Sequence, residues 1–170
     1  MRKPFIAALA LGIIVFTAAV AFACGDKLAL IGAFGRFHQV NAGIHPASVL
    51  AYAPKNSALP EVVRDLQSQA ALKRVGHKFY AVEDSTKLDE ALRTGKYDLL
   101  LADAADAESL ERQAQSAPSR PTLLPVVYKS SKAEANAVEK RFHCVLKAPA
   151  SPSNYIAAID DAMELKLKSR

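Results

Sequence analysis

From Ser48 onward, apolar and polar positions alternate between two periods. "SVLAYA", "HKFYAV", "YDLLLAD", "PTLLPVVY" and "HCVLK" are short apolar runs that read as strands, and the continuous run of "YDLLLAD", bounded by polar turns, is the pattern of a strand buried on both faces. Between them lie stretches of helical period. "NSALPEVVRDLQSQAALKRVG" places Leu59, Val62, Val63, Leu66 and Ala70 on one stripe and ends at Gly76. In "STKLDEALRTGK", Thr86 and Asp89 have capping-box spacing and Gly95 is placed to end the helix in a left-handed conformation. "DAESLERQAQ" follows, then "KAEANAVEKRF" behind a Ser131–Glu134 capping box. Last comes "PSNYIAAIDDAMELKLK", capped by Ser151 and Pro152, with Tyr155, Ile156, Ile159 and Met163 as its apolar face. Five β-α units joined by short loops predict an α/β domain, a parallel sheet with helices on both faces and right-handed crossovers. Pro125 stands inside the fourth strand, where its missing N–H threatens a ladder bond.

The front of the chain has another pattern. Arg2 and Lys3 precede an uncharged run from Phe5 to Cys24, the order of an export signal. Three endings remain open: cleavage after Ala21-Phe22-Ala23, acylation of Cys24 as a lipoprotein, or an uncleaved anchor, since about 20 apolar residues can span a bilayer. All three place Gly25 onward outside the cytoplasm, periplasmic or anchored facing that side. Residues 1–23 are therefore read as signal peptide or anchor, 24–47 as an extension and 48–170 as the α/β domain. Phe34 and Phe37 in the extension are candidates for a partner-binding loop, or for a loop that simply packs on the domain.

The whole chain carries 22 Lys and Arg against 17 Asp and Glu. Without Arg2 and Lys3 the excess is +3, scattered along the sequence, and nucleic acid is not an expected partner. Lys166, Lys168 and Arg170 read as cations complementing a helix C-terminus. Cys24 and Cys144, the only cysteines, can form one disulfide in an oxidising compartment if Cys24 is neither removed nor acylated. No two of His38, His45, His77 and His143 lie within four residues of each other, and no metal or cofactor motif is present. His143 and Cys144, adjacent on a strand, point to opposite faces.

Asp103 is the candidate for chemistry, because open α/β sheets place their sites at the carboxyl ends of strands. "YDLLLAD" closing the third strand and "LKAP" closing the fifth, in a five-unit chain of about 120 residues, resemble a response-regulator receiver domain. The resemblance covers roughly Ser48 to Lys168 and implies a three-layer, doubly wound sheet of strand order 2-1-3-4-5. It sets Asp103 at the phosphoacceptor position and Lys147 at that of the strand-five lysine.

The family's chemistry is only partly present. Its acidic pair at the end of strand one, which holds a divalent cation, is replaced by Ala53, Pro54 and Lys55. Its strand-four hydroxyl falls near Val126 or Val127. The remnant site is Asp103, Lys147 and Lys55. Either the Lys55 ammonium stands in for the lost cation beside Asp103, or Asp103 merely caps the next helix at Ala104 or Ala105. The expected function is a non-enzymatic, extracytoplasmic pseudo-receiver that binds a protein partner and meets the membrane through its N-terminal segment or a lipid. The alternative is a sensor or carrier of small anions in the crevice at the strand ends.

Overall fold

The structure is a computed structural model that describes residues 45–169. Segments 1–23 and 24–44, with Cys24, Phe34, Phe37 and His38, lie outside the described residues. Five parallel strands are present: β1 (Ser48–Tyr52), β2 (Lys78–Val82), β3 (Leu99–Asp103), β4 (Thr122–Tyr128) and β5 (Leu146–Ala148). Their order is β2-β1-β3-β4-β5. The helices are α1 (Leu59–Ser68), α2 (Ala70–Arg74), α3 (Ser85–Thr94), α4 (Ala107–Ser116), α5 (Lys132–Arg141) and α6 (Pro152–Lys168). Among the described residues no helix is long and apolar enough to cross a membrane.

Side chains of a strand alternate between faces, so β3 supplies two cores at once. Leu99 and Leu101 join Val49, Ala51, Leu66 and Ile159 under α1, α2 and α6. Leu100 and Ala102 join Leu50, Leu88, Leu92 and Leu110 under α3 and α4. Val127 and Val145 meet Ala135 of α5 in a smaller cluster. The runs of β1, β3 and β4 are continuous because both faces of the sheet are covered there, whereas the edge strand β2 is largely exposed.

Four local features depart from the sequence expectations. The first helix breaks at Gln69, whose ψ of 107° is extended. In an unbroken helix Leu72, six residues beyond Leu66, would lie about 120° off the apolar stripe. The break returns Leu72 to the core, fully buried, and leaves Ala70 exposed. Asp84, rather than Thr86, caps α3 by accepting a hydrogen bond from Lys87 N at 2.8 Å. Gly95 is not left-handed, with φ −83°. Glycine is needed there for space, because a Cβ would overlap the ring of Tyr97. The fifth strand shrinks to three residues, leaving His143 and Cys144 before it.

Pro125 does not interrupt β4 and pairs with Ala102 of β3. Ala104 N donates to Val126 O, toward β3, while Lys129 N donates to Ala148 O, toward β5. Alternation therefore turns the Pro125 nitrogen toward β5, whose first paired residue, Leu146, is level only with Val126. No ladder bond is lost. The capping box of Ser131 and Glu134 and the cap at Ser151 form as expected.

The amino-terminal edge of the sheet holds a buried histidine. His77 Nδ1 accepts from Ala47 N at 3.2 Å, and its Nε2 is buried without a partner. Burial lowers the His77 pKa below its ordinary 6.5, against a smaller opposing pull from Asp160. The unfolded chain therefore binds a proton that the fold resists. The contribution is fully present above pH 6.5 and is lost as pH falls from there toward the lower folded value. We expect the urea midpoint to fall between about pH 7.5 and 5.5, and to fall less in His77→Gln. Equal pH dependence in the two proteins would contradict this.

Candidate functional site

The carboxyl ends of β1, β3 and β5 set Lys55, Asp103 and Lys147 at one edge of the sheet, but each has a partner other than the rest of the trio. Asp103 ends β3 and pairs in register with Val126. Its Oδ1 accepts from Ala105 N at 3.0 Å, an Asx turn that leads the chain into α4. This matches the capping alternative in its donor, although α4 itself opens only at Ala107. Lys55 lies in the turn after β1 and pairs with Glu83 at 3.4 Å, both side chains well exposed. Parallel pairing explains the partner: Tyr52 is level with Val82, so the residues just beyond both strands meet. Lys147 pairs with Glu139 of α5 at 2.6 Å, where the carboxylate is mostly buried. Lys55 therefore does not stand in for a cation beside Asp103.

The other positions around Asp103 are apolar or turned away. Tyr52 and Ala53 end β1, and Ala53 is buried, its N–H bonded to Val82 O at 2.8 Å. Val126, level with Asp103, and Val127 are both buried and apolar. Tyr128, at the end of β4, gives its hydroxyl to Glu61 of α1 at 2.6 Å. On the same side Tyr155 donates to Asp65 at 2.9 Å and accepts from Ala150 N at 3.1 Å, and burial pushes its phenol up to about 12. These bonds tie α1 to β4 and α6. They are structural, and only the tertiary fold brings their partners together.

Cys144 is buried and disulfide-bonded, and Cys24 is outside the described residues. Sequence reasoning missed Lys166. It is not a solvated helix-end cation: it is buried, and its ammonium donates to Tyr97 O, Asp98 O and Asp98 Oδ1 at 3.2, 3.0 and 3.1 Å.

No protein-family model matches the chain, and no curated protein matches its sequence. Solved structures do resemble it. A response regulator from Thermotoga maritima matches with TM-score 0.52 at 12% identity, over 71% of this chain and 99% of its own. The signal receiver domain of a LuxO-like repressor from Vibrio parahaemolyticus matches with TM-score 0.51 at 12% identity, over 74% and 95%. The chain has the receiver-domain fold. The receiver domain of a sensor histidine kinase from Pseudomonas aeruginosa PAO1, solved with magnesium in its active-site cleft, is similar at TM-score 0.47 and 13% identity, over 73% and 99%.

A magnesium ion does not fit the residues here. A hard cation of that size requires near-octahedral oxygen ligands, usually from more than one carboxylate. At the strand ends, Asp103 has one oxygen bonded to backbone, β1 offers Ala53 and Pro54, and the next charge along the chain is the Lys55 ammonium. Among the described residues no group of three His, Cys, Asp or Glu side chains is arranged to hold a metal.

Proposed function

We propose that this chain is a non-enzymatic pseudo-receiver: a receiver fold that acts by binding a protein partner outside the cytoplasm, its phosphotransfer site dismantled. The observation that carries the reading is the environment of Asp103. Phosphoryl transfer is driven by positioning and by neutralising charge on the moving group. Asp103 sits in an Asx turn beside Val126, and the nearby cations are paired with Glu83 and Glu139. Its role is to shape the turn.

That role predicts an asymmetry between substitutions. Asp103→Asn keeps the acceptor oxygen and costs little, whereas Asp103→Ala loses the Asx-turn hydrogen bond and about 0.5–1.5 kcal/mol. Neither changes a calorimetric titration with magnesium, which shows no binding in any of the three proteins. Magnesium binding by the native chain that Asp103→Asn abolishes would overturn the reading.

Export is supported by the Arg2-Lys3 and apolar pattern of residues 1–23 and by the disulfide at Cys144, the usual state of structural cysteines in oxidising compartments. Acylation of Cys24 and its use in a disulfide exclude each other. Intact mass of membrane and soluble fractions decides between them.

A second reading, a small-anion sensor, draws on a cavity of about 640 Å³ at the ends of β4 and β5, bordered by Lys129, Lys132 and Lys147. Glu139 in its wall already neutralises Lys147. A thermal-shift screen of anions that moves the midpoint of the native chain, and moves that of Glu139→Gln further, would favour this reading.

A further inference from the structure

We propose that a second site, at the opposite edge of the sheet, binds a phosphate-bearing anion. It is independent of Asp103 and of the pseudo-receiver reading. A cavity of about 860 Å³ opens where the end of α3, the loops before β3 and β4, and the end of α6 converge. Its size suits a small organic ligand or a lipid headgroup.

The charge within it is one-sided. Among the described residues Asp98 is the lone acid in the lining, and both its oxygens are engaged: Oδ1 by Lys166 Nζ and Oδ2 by Ser48 N at 3.0 Å. Lys166 cancels that charge, and its three donor contacts are all internal. The field in the cavity is then set by Arg93, Lys96 and Arg120.

Cations at this edge are expected wherever helices end, because returning helices point their negative C-termini here. Arg93, in the last turn of α3, fits that explanation. Lys96 and Arg120 do not, since they lie in loops, and their side chains have no hydrogen-bond or ion-pair partner among the described residues. Between them Ser119 lines the same cavity, and its hydroxyl is buried without a partner. Two loop cations without internal partners, opening on one cavity, make a set suited to phosphate oxygens.

A soluble phosphate and an anionic lipid headgroup present the same chemistry, and two measurements separate them. In the first, inorganic pyrophosphate is titrated into the full chain at constant ionic strength. Saturation should raise its melting temperature by roughly 3–6 °C. The Lys96→Gln/Arg120→Asn double variant, which touches no internal side-chain bond and keeps a residue tolerant of the left-handed backbone at position 120 (φ 42°), should lose that rise.

In the second, the full chain is reconstituted into phosphatidylcholine vesicles with and without phosphatidylglycerol, and Lys96 acylation is read by peptide mass. Protection that needs phosphatidylglycerol assigns the site to a headgroup, whereas a pyrophosphate response alone assigns it to a soluble ligand. Absence of both effects, or an equal pyrophosphate-induced rise in melting temperature in the double variant, overturns the proposal.

Discussion

Leu101→Ala should lower the unfolding free energy by about 2–5 kcal/mol, a large part of the roughly 5–15 kcal/mol that holds such a domain together. Leu101 lies at the middle of the central strand and is fully buried, pairing with Ala51 of β1 and Leu124 of β4. Truncation removes its transfer free energy and leaves a cavity that strands fixed on both sides cannot close. The measurement is a urea titration read by far-ultraviolet circular dichroism. A lower midpoint with unchanged slope is expected, and a loss below about 1 kcal/mol would mean that the sheet is not packed as described.

Lys166→Met should cost about 2–3 kcal/mol. Methionine fills most of the volume of the lysine stem, so the loss is chiefly electrostatic: the Asp98 carboxylate and the carbonyls of Tyr97 and Asp98 lose their donor. Breaking a fully buried pair typically costs about 3–5 kcal/mol, and the lower figure here reflects the one-third exposure of Asp98, which lets water take over part of the solvation. Adding Asp98→Asn should recover about 1 kcal/mol, because the amide no longer strands a charge and still offers an oxygen to Ser48 N. Strict additivity of the two substitutions would show that they do not interact.

The inner strands were legible because burial on both faces writes a continuous apolar run, the exposed edge strand β2 by its β-branched and aromatic residues, and the alternation of strands with helices dictated the parallel sheet. What escaped depended on tertiary partners. The break at Gln69 has no glycine or proline to announce it and follows from where Leu72 must point. Gly95 was legible as a glycine of consequence but for the wrong reason, since its neighbour Tyr97 rather than its φ demands it. Lys166 read as a helix-end cation. It is buried because α6, at 17 residues, runs about 25 Å and carries it over the loop that begins β3.

The candidate site was legible in position but not in pairing. Asp103, Lys55 and Lys147 all fall at the expected edge, the carboxyl ends of the strands. The partners of the lysines were not. Glu83 reaches Lys55 only through the β1–β2 register, and Glu139 reaches Lys147 only once α5 packs beside β5. The cavity at the other edge was invisible for the same reason, Arg120 being brought beside Arg93 and Lys96 only by the fold.

Whether Asp103 can accept a phosphoryl group separates a working receiver from a pseudo-receiver. The direct test is to incubate the purified chain with acetyl phosphate and magnesium and to record its intact mass under conditions that preserve acyl phosphates. The expected spectrum is that of the unmodified chain, identical for the native protein and Asp103→Asn. A phosphoryl adduct on the native protein that is missing from Asp103→Asn would contradict the account and restore Asp103 as a working phosphoacceptor.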